Sequence, residues 1–116
     1  KQADIVLDLF KKYELKYPIF LIGDFNCSPP FDESAMKELT ISKLISHPTI
    51  SLAINESKYK SSPSHFFTFD SQNPNIKIDY IMYNNRFLQC IDAQVVNRAG
   101  SISEHLPVLA RFVFAN

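Results

Sequence analysis

The chain has 116 residues, of which 46% are hydrophobic and 21% charged, with twelve basic and twelve acidic side chains cancelling at neutral pH. This is enough apolar residue for one domain with a real core, and it excludes both a disordered chain and a membrane-embedded one. The balanced charge gives no support to a broad nucleic-acid surface, although a single cleft can still be locally charged.

No apolar run is long enough to span a bilayer, and no signal peptide opens the chain, which starts at Lys1 and reads as a fragment. Compartment stays open. Cys27 and Cys90 lack metal-ligand spacing and read as two reduced thiols.

Residues 2 to 13 carry Ala3, Val6, Leu7, Phe10 and Tyr13 at three- and four-residue steps, which predicts a helix with Asp4, Asp8, Lys11 and Lys12 largely opposite. Ile19 to Ile22 form a continuous apolar run, the pattern of a strand buried on both faces. It runs into "GDFNCSPP". One reading is a turn, in which Asp24 and Asn26 bond their own backbone. The other places chemistry there, just past the carboxyl end of a strand.

"FDESAMKEL" predicts a short helix capped by Asp32 or Ser34. Residues 40 to 64 read as weak secondary structure followed by an exposed loop. Within it, the tyrosine, phenylalanine and lysines of 56–67 read as solvated, with a substrate-lining role as the competing reading.

From His65 the pattern turns to strands. "IKIDYIMY" alternates, with Ile76, Ile78, Tyr80 and Met82 on one face and Lys77, Asp79, Ile81 and Tyr83 on the other. Asn84-Asn85 signals a hairpin into "FLQCIDAQVV". After the loop "NRAGSISEH", the segment "LPVLARFVF" puts Leu106, Val108, Ala110, Phe112 and Phe114 on one face of a last strand.

Asp79 is anomalous on its face, because a carboxylate beside Ile81 and Tyr83 needs a partner if buried. Lys77, two residues away on the strand, offers only a weak, exposed pair. Histidine is the better candidate. His47 reads as a surface residue and His65 as a packed or capping one, whereas His105 sits beside Glu104 where a loop meets a strand.

Taken in order, "GDFN", "IDYI" and "SEHLPV" resemble the GDxN, hydrophobic-DY-hydrophobic and SDHxP motifs of the endonuclease/exonuclease/phosphatase superfamily, the deoxyribonuclease-I-like phosphoesterases. Thr68-Phe69 ahead of the second motif also fits many members, and the resemblance covers essentially the whole chain. It implies an α/β fold of α+β type: the C-terminal half of a four-layer sandwich, with one mixed, mostly antiparallel sheet and helices on one face. Residues 1–116 would be the C-terminal portion of such a domain.

The resemblance also implies roles. Asp24 would orient or deprotonate the attacking water and Asn26 would hydrogen-bond the scissile phosphate. His105 would contact a phosphoryl oxygen as base or electrostatic stabiliser, and Asp79 would accept its other ring proton. Glu104 stands where the family has an aspartate that helps hold Mg²⁺, with Mn²⁺ an alternative ion. It is one methylene longer, and Mg²⁺ tolerates little slack at about 2.1 Å.

The family's N-terminal asparagine and metal-binding glutamate have no counterpart before Asp24. The implied function is metal-dependent hydrolysis of a phosphodiester or phosphomonoester, on nucleic acid, a phospholipid head group or a nucleotide. The isolated chain would be an incomplete active site. Its last-strand inner face would be exposed, to be covered by the N-terminal half of the domain or by self-association. The alternative is a catalytically inactive member that acts as a protein-interaction or phosphate-ligand-binding module.

Overall fold

The computed structural model describes residues 2–32 and 39–116. The helix expected in "FDESAMKEL" falls largely on 33–38 and lies outside the described residues.

Helix α1, Gln2–Tyr13, follows its apolar period. Ala3 and Phe10 are buried, with Val6 and Leu7 packed beside them. Asp4 in its first turn and Lys11 and Lys12 in its last complement the helix dipole. The chain then forms β1 (Phe20–Asp24), α2 (Leu39–Ile45), β2 (Ile50–Leu52), α3 (Glu56–Ser61), β3 (Asp79–Asn84), β4 (Leu88–Val95) and β5 (Val108–Phe114). Short 3₁₀ turns sit at Pro63–Phe66 and Asn97–Ala99. The region expected to hold weak secondary structure and then an exposed loop has two helices, a strand and a 3₁₀ turn. Its apolar residues are too few and too scattered for a period to show, yet Ile41, Leu44, Ile50, Leu52 and Tyr59 are all core residues.

The α/β class holds, but the expected single mixed sheet is two antiparallel ones among the described residues. One has the order β1-β3-β2 and the other is the pair β4-β5. Strand β3 alternates buried and half-buried positions along its length. Tyr80 and Met82 join the core cluster with α1, α2 and β2. On the opposite face, Ile81 packs with Cys90, Val108, Ala110 and Phe112 of the second sheet. The ring of Phe112 meets Phe20 at 4.9 Å and Tyr83 at 5.0 Å between centroids. The layers are thus α1 and α2, the three-stranded sheet, then the two-stranded sheet. Helix α3 belongs to the second core through Tyr59, so the helices do not all lie on one face.

Several expectations are corrected by this arrangement. The Asn84-Asn85 turn does not close a hairpin, because β3 pairs with β1 and β2 while β4 pairs with β5. The inner face of β5 is largely covered by the chain's own first sheet: Leu106 is buried and Val108, Ala110 and Phe112 are half-buried, with only Phe114 open. Exposed apolar surface lies elsewhere. Ile5, Leu9 and Tyr13 form a stripe on α1, and Tyr17 follows in the link. Phe20 and Ile22 stand open on the other face of the edge strand β1, and Ile91, Leu109 and Val113 are exposed on the second sheet. Strand β1 is consequently not buried on both faces, since it forms a sheet edge and Ile22 is 68% exposed.

His47, expected at the surface, is half-buried instead. Its Nε2 lies 2.8 Å from Glu14 Oε2, and Thr49 Oγ1 donates to Glu14 Oε1 at 3.1 Å. Fully buried Asn84 completes this junction, donating from Nδ2 to the carbonyls of Glu14 (2.8 Å) and Tyr17 (3.2 Å). The link from α1 to β1 is thereby tied to the end of β3. Asn84→Leu would leave two carbonyls without their donor. We expect a loss of about 1–3 kcal/mol, read as a lower urea midpoint at unchanged m-value.

Candidate active site

The pairing of β1 with β3 sets Asp24 directly opposite Asp79, so both carboxylates rise from the same face at the same end of the sheet. Two like charges so placed repel unless something separates or neutralises them. His105 does so. Its Nδ1 lies 2.8 Å from Asp79 Oδ2, and its Nε2 lies 3.9 Å from Asp24 Oδ2. With a proton on Nδ1 donated to Asp79, Nε2 faces Asp24 and solvent, and the imidazole has one defined orientation. Side-chain exposure rises along the row, from 19% for Asp79 through 34% for His105 to 45% for Asp24. The buried end suits an orienting group, and the open end suits a group that meets water or substrate.

His105 arrives from the second sheet by a specific route. The segment Thr68-Phe69 lies between residues 76–79 and the start of β5. Thr68 Oγ1 accepts from the backbone N–H of Ile78 (3.1 Å) and Asp79 (3.2 Å), while its carbonyl accepts from Leu106 (2.8 Å). Phe69 bridges to both Ile76 and His105 in antiparallel fashion, and its ring lies 5.0 Å from the imidazole. Ser103 Oγ accepts from the His105 N–H, and Ser71 Oγ donates to the Ser103 carbonyl. Residues 65–70, where the pattern is expected to turn to strands, hold the end of a 3₁₀ turn and this irregular clasp.

Asp24 ends β1, and this strand lies at the edge of its sheet rather than at the centre. Its Oδ1 accepts from the Asn26 N–H at 2.7 Å, leaving Oδ2 toward His105. Asp24 thus makes the expected turn bond with one oxygen and keeps the other toward the imidazole. Asn26 is exposed, and with Asp24 it lines a cavity of about 540 Å³ that also touches Gln2, Ala3, Val6 and Thr40.

The hydrogen bond to Asp79 holds the His105 pKa above its ordinary value of 6.5, against a smaller desolvation effect; the charges of Asp79, Asp24 and Glu104 add to the rise. Lys77 departs from expectation. It is 1% exposed, its Nζ donates to the Asp79 carbonyl at 2.6 Å, and burial brings its pKa down to about 8. Alternation placed it outward. The regular strand begins only at Asp79, so residue 77 does not obey that alternation.

Asp24, Asp79 and His105 offer one ligand atom each within 4.8 Å of one another, and Glu104 is not part of this group. Glu104 is exposed, and its backbone carbonyl accepts from Ser71. Asp79 Oδ2 and Nδ1 are committed to each other and Asp24 Oδ1 to the Asn26 N–H, so the cluster has few oxygens left for an oxygen-seeking ion such as Mg²⁺. These donors by themselves do not make a Mg²⁺ site, which needs six near-octahedral ligands including waters.

No protein-family model matches the chain, and no curated protein matches it in sequence. Two solved structures match it in fold. A mannosyl-6-phosphatase from Bacteroides thetaiotaomicron VPI-5482 superposes with a TM-score of 0.68 at 20% identity, over 97% of this chain and 44% of that one. An endonuclease/exonuclease/phosphatase family protein from the same organism superposes with a TM-score of 0.66 at 19% identity, over 97% of this chain and 42% of that one. The chain spans less than half the length of either structure, and it has the fold of part of an endonuclease/exonuclease/phosphatase domain.

The Asp79–His105 pair yields a pH prediction. A histidine with a raised folded-state pKa contributes stability that is complete below the unfolded value, near 6.5, and is lost as pH rises through the folded value. Asp79→Asn should lower the His105 midpoint in an NMR titration and remove that alkaline-side loss from the stability profile. An unchanged midpoint would mean that the contact does not govern the ionisation of His105.

Proposed function

We propose that the protein is a phosphoesterase that hydrolyses a phosphate ester at the Asp24–His105–Asp79 row. The observation that carries this reading is the row itself: a histidine oriented by one aspartate and presented to a second, at the sheet end of a chain with an endonuclease/exonuclease/phosphatase fold. Asp24 accepts a hydrogen bond from the attacking water and orients or deprotonates it. Asn26 donates its side-chain amide to a phosphoryl oxygen. His105, flanked by carboxylates that favour its protonated form, meets the negative charge that grows on the phosphoryl group. Asp79 holds the imidazole in register for this contact.

The proposal extends to Mg²⁺ or Mn²⁺ dependence, with Glu104 supplying one ligand and the rest of the site coming from outside this chain. Bound there, the ion would supply electrostatic stabilisation of phosphoryl oxygens. The substrate is a phosphate ester on a nucleic acid, a phospholipid head group or a nucleotide. A phosphorylated sugar joins the set to be tested, since one fold neighbour is named a mannosyl-6-phosphatase. Zero net charge argues against a dedicated duplex-DNA enzyme.

On this reading residues 1–116 are the C-terminal portion of a larger domain and an incomplete active site alone. The coverage of the two neighbours supports this, as does the open apolar surface of α1 and β1. The remaining N-terminal half would cover that surface, and without it the chain would self-associate through it. The competing function, a catalytically inactive binding module, draws support from a glutamate that replaces aspartate at 104 and stands outside the donor cluster.

Light scattering on the isolated chain should report self-association, and a Mg²⁺-dependent assay on bis(p-nitrophenyl) phosphate should report no turnover. A clean monomer that turns over substrate would overturn the half-domain reading. In the protein carrying the complete domain, His105→Ala and Asp24→Asn should each lower kcat by roughly 10²–10⁴-fold, the scale of a lost acid–base or charge-stabilising group. Unchanged kcat in both variants would sink the assignment of this row as catalytic, and a complete domain with no activity on any ester class would favour the binding module.

A further inference from the structure

Tyr80 adjoins Asp79 on β3, and strand alternation sends the two side chains to opposite faces of the sheet. Asp79 reaches the imidazole. Tyr80 is 2% exposed, and its hydroxyl donates to the Cys27 carbonyl at 2.7 Å. Burial pushes the phenol pKa far up, so the hydroxyl remains a donor.

Cys27 follows Asn26, which has φ of 53° and is the non-glycine residue of positive φ among the described residues. Asparagine tolerates this region better than most side chains, but it still has to be held there. Two hydrogen bonds bracket it. On the near side its own N–H donates to Asp24 Oδ1 at 2.7 Å, and on the far side Tyr80 grips the next carbonyl. The grip is itself anchored, because Phe25 meets the Tyr80 ring edge-on at 5.8 Å and the Lys77 amine lies 4.6 Å from its centroid. That same amine donates to the Asp79 carbonyl, so the ring and the aspartate backbone are held by one buried cation.

We propose that Tyr80 is a positioning residue of the site: its hydroxyl, through the Cys27 carbonyl, holds Asn26 in the left-handed conformation that aims its amide at a bound phosphate. This deepens the phosphoesterase reading and rests on it for the identity of the ligand. The neighbouring letters of "IDYI" then serve both halves of the site, Asp79 setting the imidazole from one face and Tyr80 setting the amide from the other.

Tyr80→Phe keeps the ring and its packing and removes only the donor. Backbone ¹⁵N relaxation of the chain should show the Asn26 order parameter falling below about 0.6 in this variant, with β1 and β3 as rigid as before. An Asn26 as ordered as in the wild type overturns the proposal. Inorganic phosphate, titrated by NMR into the protein carrying the complete domain, supplies the second readout. Tyr80→Phe should weaken it roughly three- to tenfold, the factor to which an ordinary net hydrogen bond converts. In an Asn26→Ala background the same change should have no further effect, because Tyr80 acts through Asn26. Additive losses would indicate general loosening and overturn the proposal. A complete domain whose wild type is indifferent to phosphate, with Asn26 still loosened by Tyr80→Phe, would sink the phosphoesterase reading and support the positioning role.

Discussion

The pairing of β1 with β3 is the constraint on which the rest of the site depends. Its register puts Phe20 against Tyr83, Ile22 against Ile81 and Asp24 against Asp79 on one face. The side-chain period of a strand is two, so a slip of one residue would carry Asp79 into the helix-facing core and bring Tyr80 to the site. Such a slip is opposed by Tyr80 and Met82, which are almost fully buried against α1, α2 and β2. The energy that sets the geometry of two carboxylates is therefore apolar burial on the opposite side of the sheet.

That geometry is electrostatically unfavourable until the second sheet arrives. Strand β5 packs on the same face, and its lead-in segment delivers His105 between the carboxylates. Thr68 joins the pieces, receiving hydrogen bonds from Asp79 through its hydroxyl and from Leu106 through its carbonyl. Three segments of the chain thus meet at one buried threonine. Local conflict at a functional site, offset by packing elsewhere, is common in folded proteins.

The same layering explains where the molecule is open. The three-stranded sheet is covered by helices on one face and by β4 and β5 on the other, but nothing among the described residues pairs with the outer edge of β1. An unprotected strand edge lined by apolar side chains is a surface that natural domains normally cover. It begins at the strand that carries Asp24, so this open surface lies beside the site.

The amino-acid sequence by itself determined the helix at 2–13, whose apolar period is unbroken, and the alternation of β3, whose inward residues are the core. It also marked Asp79 as a carboxylate in need of a partner, and the order of the three motifs, through the resemblance it carries, singled out His105 among the histidines. It could not determine that β4 and β5 form a separate sheet, since hairpin signals describe a turn and not which strands pair across it. His47 and Lys77 escaped for a related reason: a polar side chain reads as exposed unless its partner is known. Their partners are a glutamate 33 residues away and the carbonyl of the site's own aspartate. Only the tertiary structure decided those, and only it brought Asp24, Asp79 and His105 together, because carboxylates on two strands and an imidazole at the lead-in to a third become one site through register and sheet packing.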